Sequence, residues 1–187
     1  MYYHGSPVPN IEVLTPHISN HGVPLLYFST KRENTIVYLS NAIEKYHREN
    51  HIPHSGRFHK WGSYGFTKDG ILELGEYYPD AVRETYQGAA GYVYSAEHLG
   101  DPAELRDIPF AVTSSAPAAV SQVEYIPDAY GELLRLEAEG LIIIRRYEQN
   151  SEVRLSWIRN TVQEEYATAQ EPDYRRFLKA KFPFIMD

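Results

Sequence analysis

The strongest constraint on the fold is where the two kinds of hydrophobic period fall. Short strand-type runs fill the middle of the chain as far as "LIIIRRYE", and helix-type periodicity takes over in the tail. Strands gathered in one stretch and helices in another predict an α+β protein rather than an alternating α/β one. "YYHGS" reads as a first strand, ended by Gly5-Ser6 and two prolines, and "PLLYFS" as a buried strand. "TKRENTIVYLSNAIEKYHREN" carries the strongest helix signal, with Thr30 and Glu33 in capping-box spacing and Ile36, Leu39, Ile43 and Tyr46 at helical intervals. "SYGFTKDGILELGEYY" predicts a hairpin turning at Lys68-Asp69-Gly70, because Asp-Gly accepts positive φ. "PDAVRETYQG" reads as a short helix, "AGYVYSAEHL", "IPFAVTSS" and "VEYI" as strands, and "DAYGELLRLEAEG" as a helix closed by Gly140. "LIIIRRYE" has the composition of a central strand. The tail predicts two amphipathic helices broken near Glu171-Pro172.

Length and composition narrow the class. The 187 residues suit one domain or one domain with an appendage, and 43% hydrophobic content suffices for a sizeable core. A formal charge of −7 argues against a duplex-binding protein, since phosphate binding wants a clustered basic face. The absence of cysteine rules out disulfides and cysteine-ligated metal. With no leader pattern and no apolar run of the ~18 residues a membrane helix needs, the expected location is cytoplasmic, with no membrane partner.

Four fragments then line up: "YHGS" with His4, "LYFST" with Tyr27, "IVYLS" with Tyr38 and "SQVEYI" with Glu124. In that order the chain resembles the ADP-ribosyltransferase superfamily, in its His-Tyr-Glu branch, to which diphtheria toxin and the poly(ADP-ribose) polymerases belong. The first strand of that family carries Tyr-His-Gly-Ser/Thr. Its second block is Tyr-Phe-Ala/Ser, with a further tyrosine eleven positions on, the spacing from Tyr27 to Tyr38. Its last block is a strand glutamate followed by Tyr-Ile. The resemblance covers scattered points of the first 130 or so residues and does not reach the C-terminal helices. It implies split, mostly antiparallel sheets forming an NAD cleft over residues 1–149, with residues 150–187 a helical extension packed on the same domain.

The resemblance implies that ADP-ribose passes from NAD⁺, as substrate, to an unidentified protein or small-molecule acceptor, with nicotinamide released. Mono-ADP-ribosylation is favoured over chain elongation, and water as acceptor would make the protein an NAD glycohydrolase. Glu124, His4 and Tyr38 are the catalytic candidates, and His4, Gly5, Ser6, Tyr27, Ser29 and Tyr38 the dinucleotide-binding ones. No metal is expected. These residue types suit the chemistry. Nicotinamide in NAD⁺ is a flat cation that two tyrosine faces can hold. Gly5 lets backbone approach the carboxamide, and His4 would donate to a ribose hydroxyl. A carboxylate at Glu124 stabilises the oxocarbenium-like charge that builds as the glycosidic bond breaks.

Rival readings keep their place. Singly, His4 reads as a hydrogen-bonded strand end, Tyr27 as core, Tyr38 as helix packing and Glu124 as a solvent-facing strand residue. The chain as a whole also reads as a non-catalytic NAD-binding or interaction module of the same fold. An RNA 2′-phosphotransferase-like enzyme shares a His-Gly opening, but the arginines it needs are not found at the motif positions. His47, His51, His54 and His59 have spacing that suits a transition metal, against the plainer reading of a solvated loop. In the transferase reading, Arg57, His59 or Lys60 of that stretch would meet the pyrophosphate.

Overall fold

The computed structural model describes residues 1–18, 22–54 and 63–185. Arg57, His59 and Lys60 lie outside the described residues. The chain is α+β with antiparallel sheets. Its elements begin with β1 (Tyr2–Ser6), β2 (Val13–Leu14), β3 (His17–Ile18), β4 (Pro24–Ser29), a 3₁₀ helix (Arg32–Tyr38) and α1 (Ala42–Glu49). There follow β5 (Tyr64–Phe66), β6 (Leu72–Gly75), α2 (Ala81–Tyr86), β7 (Gly91–Ala96), β8 (Ala103–Glu104), β9 (Ala111–Ser114), β10 (Ala118–Ala119) and β11 (Gln122–Ile126). α3 (Ala129–Ala138), β12 (Ile142–Arg145), a 3₁₀ turn (Tyr147–Gln149), α4 (Glu152–Thr168) and α5 (Pro172–Lys181) complete it. Among the described residues no helix is long and apolar enough to cross a membrane.

Most expected elements form where their sequence signals stand, and three differ. The helix expected to start after Thr30 splits into the 3₁₀ helix and α1, and Thr30 and Glu33 make no capping box. Two polar side chains take over the ends. Ser29 Oγ accepts from the Lys31 N–H at 3.0 Å and from Asn34 Nδ2 at 3.3 Å. Asn41 Oδ1 accepts from the N–H groups of Ile43 (2.9 Å) and Glu44 (3.2 Å), nucleating a fresh helix after Ser40. The second difference is β12, which stands at an edge of the sheet ordered β12-β6-β5 rather than at a centre. Its side chains alternate buried and exposed, so one face of the strand meets water. The third is His47, which belongs to α1 and is fully buried, not part of a solvated loop.

The chain divides into two compact units: Met1–Ser40 with Phe66–Leu72 and Tyr86–Ile143, and Asn41–Gly65 with Glu73–Thr85 and Ile144–Asp187. The core of the second is built by α1, α4 and α5 around Ile43, Tyr78, Ile158, Val162, Phe177 and Leu178. Glu76 is buried there, its carboxylate accepting from the N–H groups of Val82 and Tyr147, both at 3.1 Å.

The first unit is organised by a sheet of order β11-β7-β1-β4-β9-β8, with β3 paired to β4. β1 runs beside β7 along its full length, from Tyr2 opposite Ala96 to Ser6 opposite Tyr92. β11 flanks β7 from the other side, with Glu124 and Gly5 both opposite Val93. β4 pairs with β9 from Leu26–Ser114 to Ser29–Ala111. Between β1 and β4, however, the ladder is the single pair Tyr3–Ser29. Opposed residues share a face and alternate along each strand. One face therefore carries Tyr2, Phe28, Leu26, Tyr94 and Ala96, which close over Leu14 and Ala118 as a core. The other carries Gly5, Ser29, Val93 and Glu124, and the 3₁₀ helix lies against its β1, β4 and β7 strands.

Candidate functional site

Gly5, Tyr27, Ser29 and Glu124 stand on one face of the first unit's sheet. Alternation from the Tyr3–Ser29 pair puts Tyr27 and Gly5 on that shared face, and Gly5 is aligned through Val93 with Glu124. The row Gly5, Val93, Glu124 crosses three neighbouring strands, a span of roughly 10 Å at ordinary strand spacing. The 3₁₀ helix that carries Tyr38 crosses the same face. A Cβ on Gly5 would meet the Thr35 carbonyl oxygen at 2.2 Å, and one on Gly91 would meet Leu39 Cδ2 at 2.8 Å. Tyr27 and Tyr38 therefore lie on the same side of the sheet. Tyr27 is partly buried, whereas Tyr38 leaves 46% of its surface open. Desolvation around its hydroxyl pushes the Tyr38 phenol above the ordinary tyrosine range. The next residue back is pinned by Tyr86, whose buried hydroxyl donates to the Val37 carbonyl at 3.2 Å.

His4 and Ser6 alternate to the opposite face. The His4 ring meets Phe28 edge-on at 5.9 Å, and its Nδ1 lies 2.8 Å from the Tyr27 carbonyl oxygen. A carbonyl only accepts, so Nδ1 carries the proton. The imidazole thereby fills a hydrogen-bonding position where β1 and β4 have stopped pairing. Burial holds its pKa below the ordinary value, which the Tyr27 bond partly offsets and nearby His17 reinforces. The ring is neutral near pH 7, and its Nε2 presents a lone pair. Ser6 is buried, its Oγ accepting from the Val8 N–H at 3.2 Å, and Ser29 Oγ is engaged at the start of the 3₁₀ helix.

Glu124 sits on the edge strand β11 with half of its side chain exposed, and it has a partner that sequence reasoning missed. Arg32, the first residue of the 3₁₀ helix, grips it with two parallel bonds: Nε to Oε2 and Nη2 to Oε1, each 2.7 Å. Arg32 Nη1 meets Glu132 of α3 at 2.6 Å. Glu132 is bonded in turn by Arg135 through Nη2 (2.8 Å) and Nε (2.9 Å). The bonds to Glu124, and then those to Glu132, raise the Arg32 pKa further. Bonds from Arg135, with a smaller share from Arg32, lower that of Glu132. The one hint in the sequence is the Lys-Arg pair directly after "YFST". Its other member, Lys31, rests its ammonium 4.1 Å from the centre of the Phe110 ring.

Of the histidine cluster, His47 is held in α1 by an Nδ1 bond to the Ile43 carbonyl at 2.8 Å, with His54 5.9 Å away ring to ring and Asp173 4.0 Å from Nε2. Among the described residues no three potential ligands gather as a metal site requires. Comparison with family models, with curated proteins and with solved structures finds no match to this chain.

Proposed function

We propose that this chain transfers ADP-ribose from NAD⁺ to an acceptor, releasing nicotinamide, with a single ADP-ribose added per event. The observation that carries the reading is that Tyr27, Gly5 and Glu124 share one face of one sheet, with Tyr38 borne over that face by the 3₁₀ helix. In the proposed complex the Tyr27 and Tyr38 rings hold the nicotinamide cation, and Glu124 lies beneath the sugar to stabilise the charge that develops on it. His4 stands on the opposite face with Nδ1 spent on the Tyr27 carbonyl, so in this reading it positions the strand that bears Tyr27 and does not bond the ribose as expected. Ser6 and Ser29 support the backbone of the two strands that bear His4 and Tyr27, each through a bond to its own turn.

The test is direct. Wild-type protein incubated with NAD⁺ releases nicotinamide, and Glu124→Gln lowers the rate at least about a hundredfold, as loss of a charge-stabilising group does. Release unaffected by that substitution, or no release with any acceptor tried, refutes the catalytic reading. A non-catalytic NAD-binding module is the second reading, favoured by one specific observation: both Glu124 oxygens are already engaged by Arg32. A thermal shift with NAD⁺ but no turnover identifies that case.

A further inference from the structure

Arg32 makes more contacts than a surface ion pair needs. It is about one-fifth exposed, it is shared between two carboxylates, and one planar edge of its guanidinium, Nε with Nη2, is devoted wholly to Glu124. That edge is the one that matches two oxygens of a phosphate as well as it matches a carboxylate. Its opposite corner, Nη1, is fixed to Glu132, which Arg135 secures independently. Arg32 can thus swing its bidentate edge off Glu124 without losing its anchor.

Resting on the transferase reading above, we propose that Arg32 is the diphosphate-binding residue of this face, and that its pair with Glu124 is a latch the substrate's diphosphate opens. The geometry requires the two events to be linked. A carboxylate serving the sugar next to nicotinamide stands one sugar away from the diphosphate, and Arg32 touches that carboxylate. With the latch closed, one lone pair of each Glu124 oxygen is taken and its charge is offset, so it takes a ribose hydroxyl and stabilises a cation less well. A diphosphate carries more charge than one carboxylate and offers more oxygens to the fork, so it competes for Arg32. Its arrival frees Glu124 at the moment the sugar is in place. The residues Arg32, Glu124, Glu132, Arg135 and Glu139, joined by bonds of 2.5–2.9 Å, sum to one negative charge. The array as a whole therefore opposes a diphosphate, and the attraction has to come from the bidentate edge of Arg32 itself.

Calorimetric titration with ADP-ribose, and separately with inorganic pyrophosphate, tests the latch without requiring turnover. Arg32→Ala weakens both ligands at least about tenfold, and Arg32→Lys, which keeps the charge but not the fork, weakens them less. Glu124→Gln tightens both by about tenfold, because the competing carboxylate is gone; a purely structural role for Arg32 does not produce that gain. Binding that Arg32→Ala leaves unchanged, or that Glu124→Gln leaves unchanged or weaker, overturns the latch whether or not nicotinamide is released. Tighter binding in Glu124→Gln alongside a wild-type protein that never releases nicotinamide supports the latch and overturns the transferase reading alone. Wild-type protein that binds neither ADP-ribose nor pyrophosphate overturns both.

Discussion

Substituting Gly5 by alanine asks whether that glycine serves a ligand or the fold. The backbone at Gly5 is ordinary extended strand, so alanine meets no φ penalty and the cost is steric alone. The new Cβ would stand 2.2 Å from the Thr35 carbonyl oxygen, where 3.4 Å is the near limit of ordinary contact, so about 1.2 Å must be found. Thr35 cannot give that freely. Its 3₁₀ helix is tied at one end by Asn34 to Ser29 and Arg32 to Glu124, and at the other by Tyr86 to the Val37 carbonyl. A backbone oxygen that cannot rotate away places the change at the upper end of overpacking costs, about 3 kcal/mol. For a chain of this length that lowers Tm by roughly 6–12 °C. Gly65 is the control: a Cβ there would find nothing within 4 Å, and Gly65→Ala moves Tm by less than about 3 °C. Thermal and urea melts of the two variants decide the matter. A Gly5→Ala protein melting within about 2 °C of wild type refutes the packing argument, and if it had also lost NAD⁺ binding, the glycine would belong to the ligand instead.

Three further outcomes follow from the same geometry. Asn41→Ala removes the acceptor for two N–H groups at the start of α1 and costs about 1 kcal/mol, read as a drop of a few degrees in Tm. Phe177→Ala empties a fully buried position in the second unit's core and costs about 3–5 kcal/mol by urea denaturation. His4 is held neutral by burial in the folded protein, while the unfolded chain takes up a proton as pH falls through about 6.5. The stability it confers is present above that pH and is lost below it, so Tm measured from pH 7.5 to 5.5 falls more steeply for wild type than for His4→Asn.

Much of the fold is legible in the sequence because local chemistry decides it. The run "PLLYFS" can only be a strand in a chain of this composition, and it forms β4 from Pro24 to Ser29. Pro172 stops one helix and starts the next, as a proline at the first helical position does. Asp69-Gly70 makes the turn its dipeptide demands, with Gly70 at φ +76°. The long helix after Thr30 breaks where two local signals compete. Thr30-Glu33 has the right spacing for a capping box, but the Thr30 N–H that Glu33 would accept donates to the Phe110 carbonyl at 2.9 Å, and Asn41 offers a better start eleven residues after Thr30. β12 misleads because an apolar run reports that a strand is buried on some face, not that it has neighbours on both sides.

The candidate site divides along the same line. His4, Gly5, Tyr27 and Glu124 can be chosen from the sequence because each sits inside a short pattern. What the sequence withholds is how those residues are already used. The Gly5 side-chain space is filled by Thr35, His4 Nδ1 is bonded to Tyr27, and Glu124 is gripped by an arginine 92 positions away. None of these leaves a periodicity or a motif, since the first two depend on β1 meeting β4 and the 3₁₀ helix, and the third on β11 folding back beside β7. The arginine changes the chemical question most. An exposed edge-strand glutamate with no partner would keep its full charge and all its lone pairs available at all times. In the proposed transferase, Arg32 offsets the Glu124 charge until something more anionic draws the guanidinium off, and the acid's availability would then depend on the far end of the substrate.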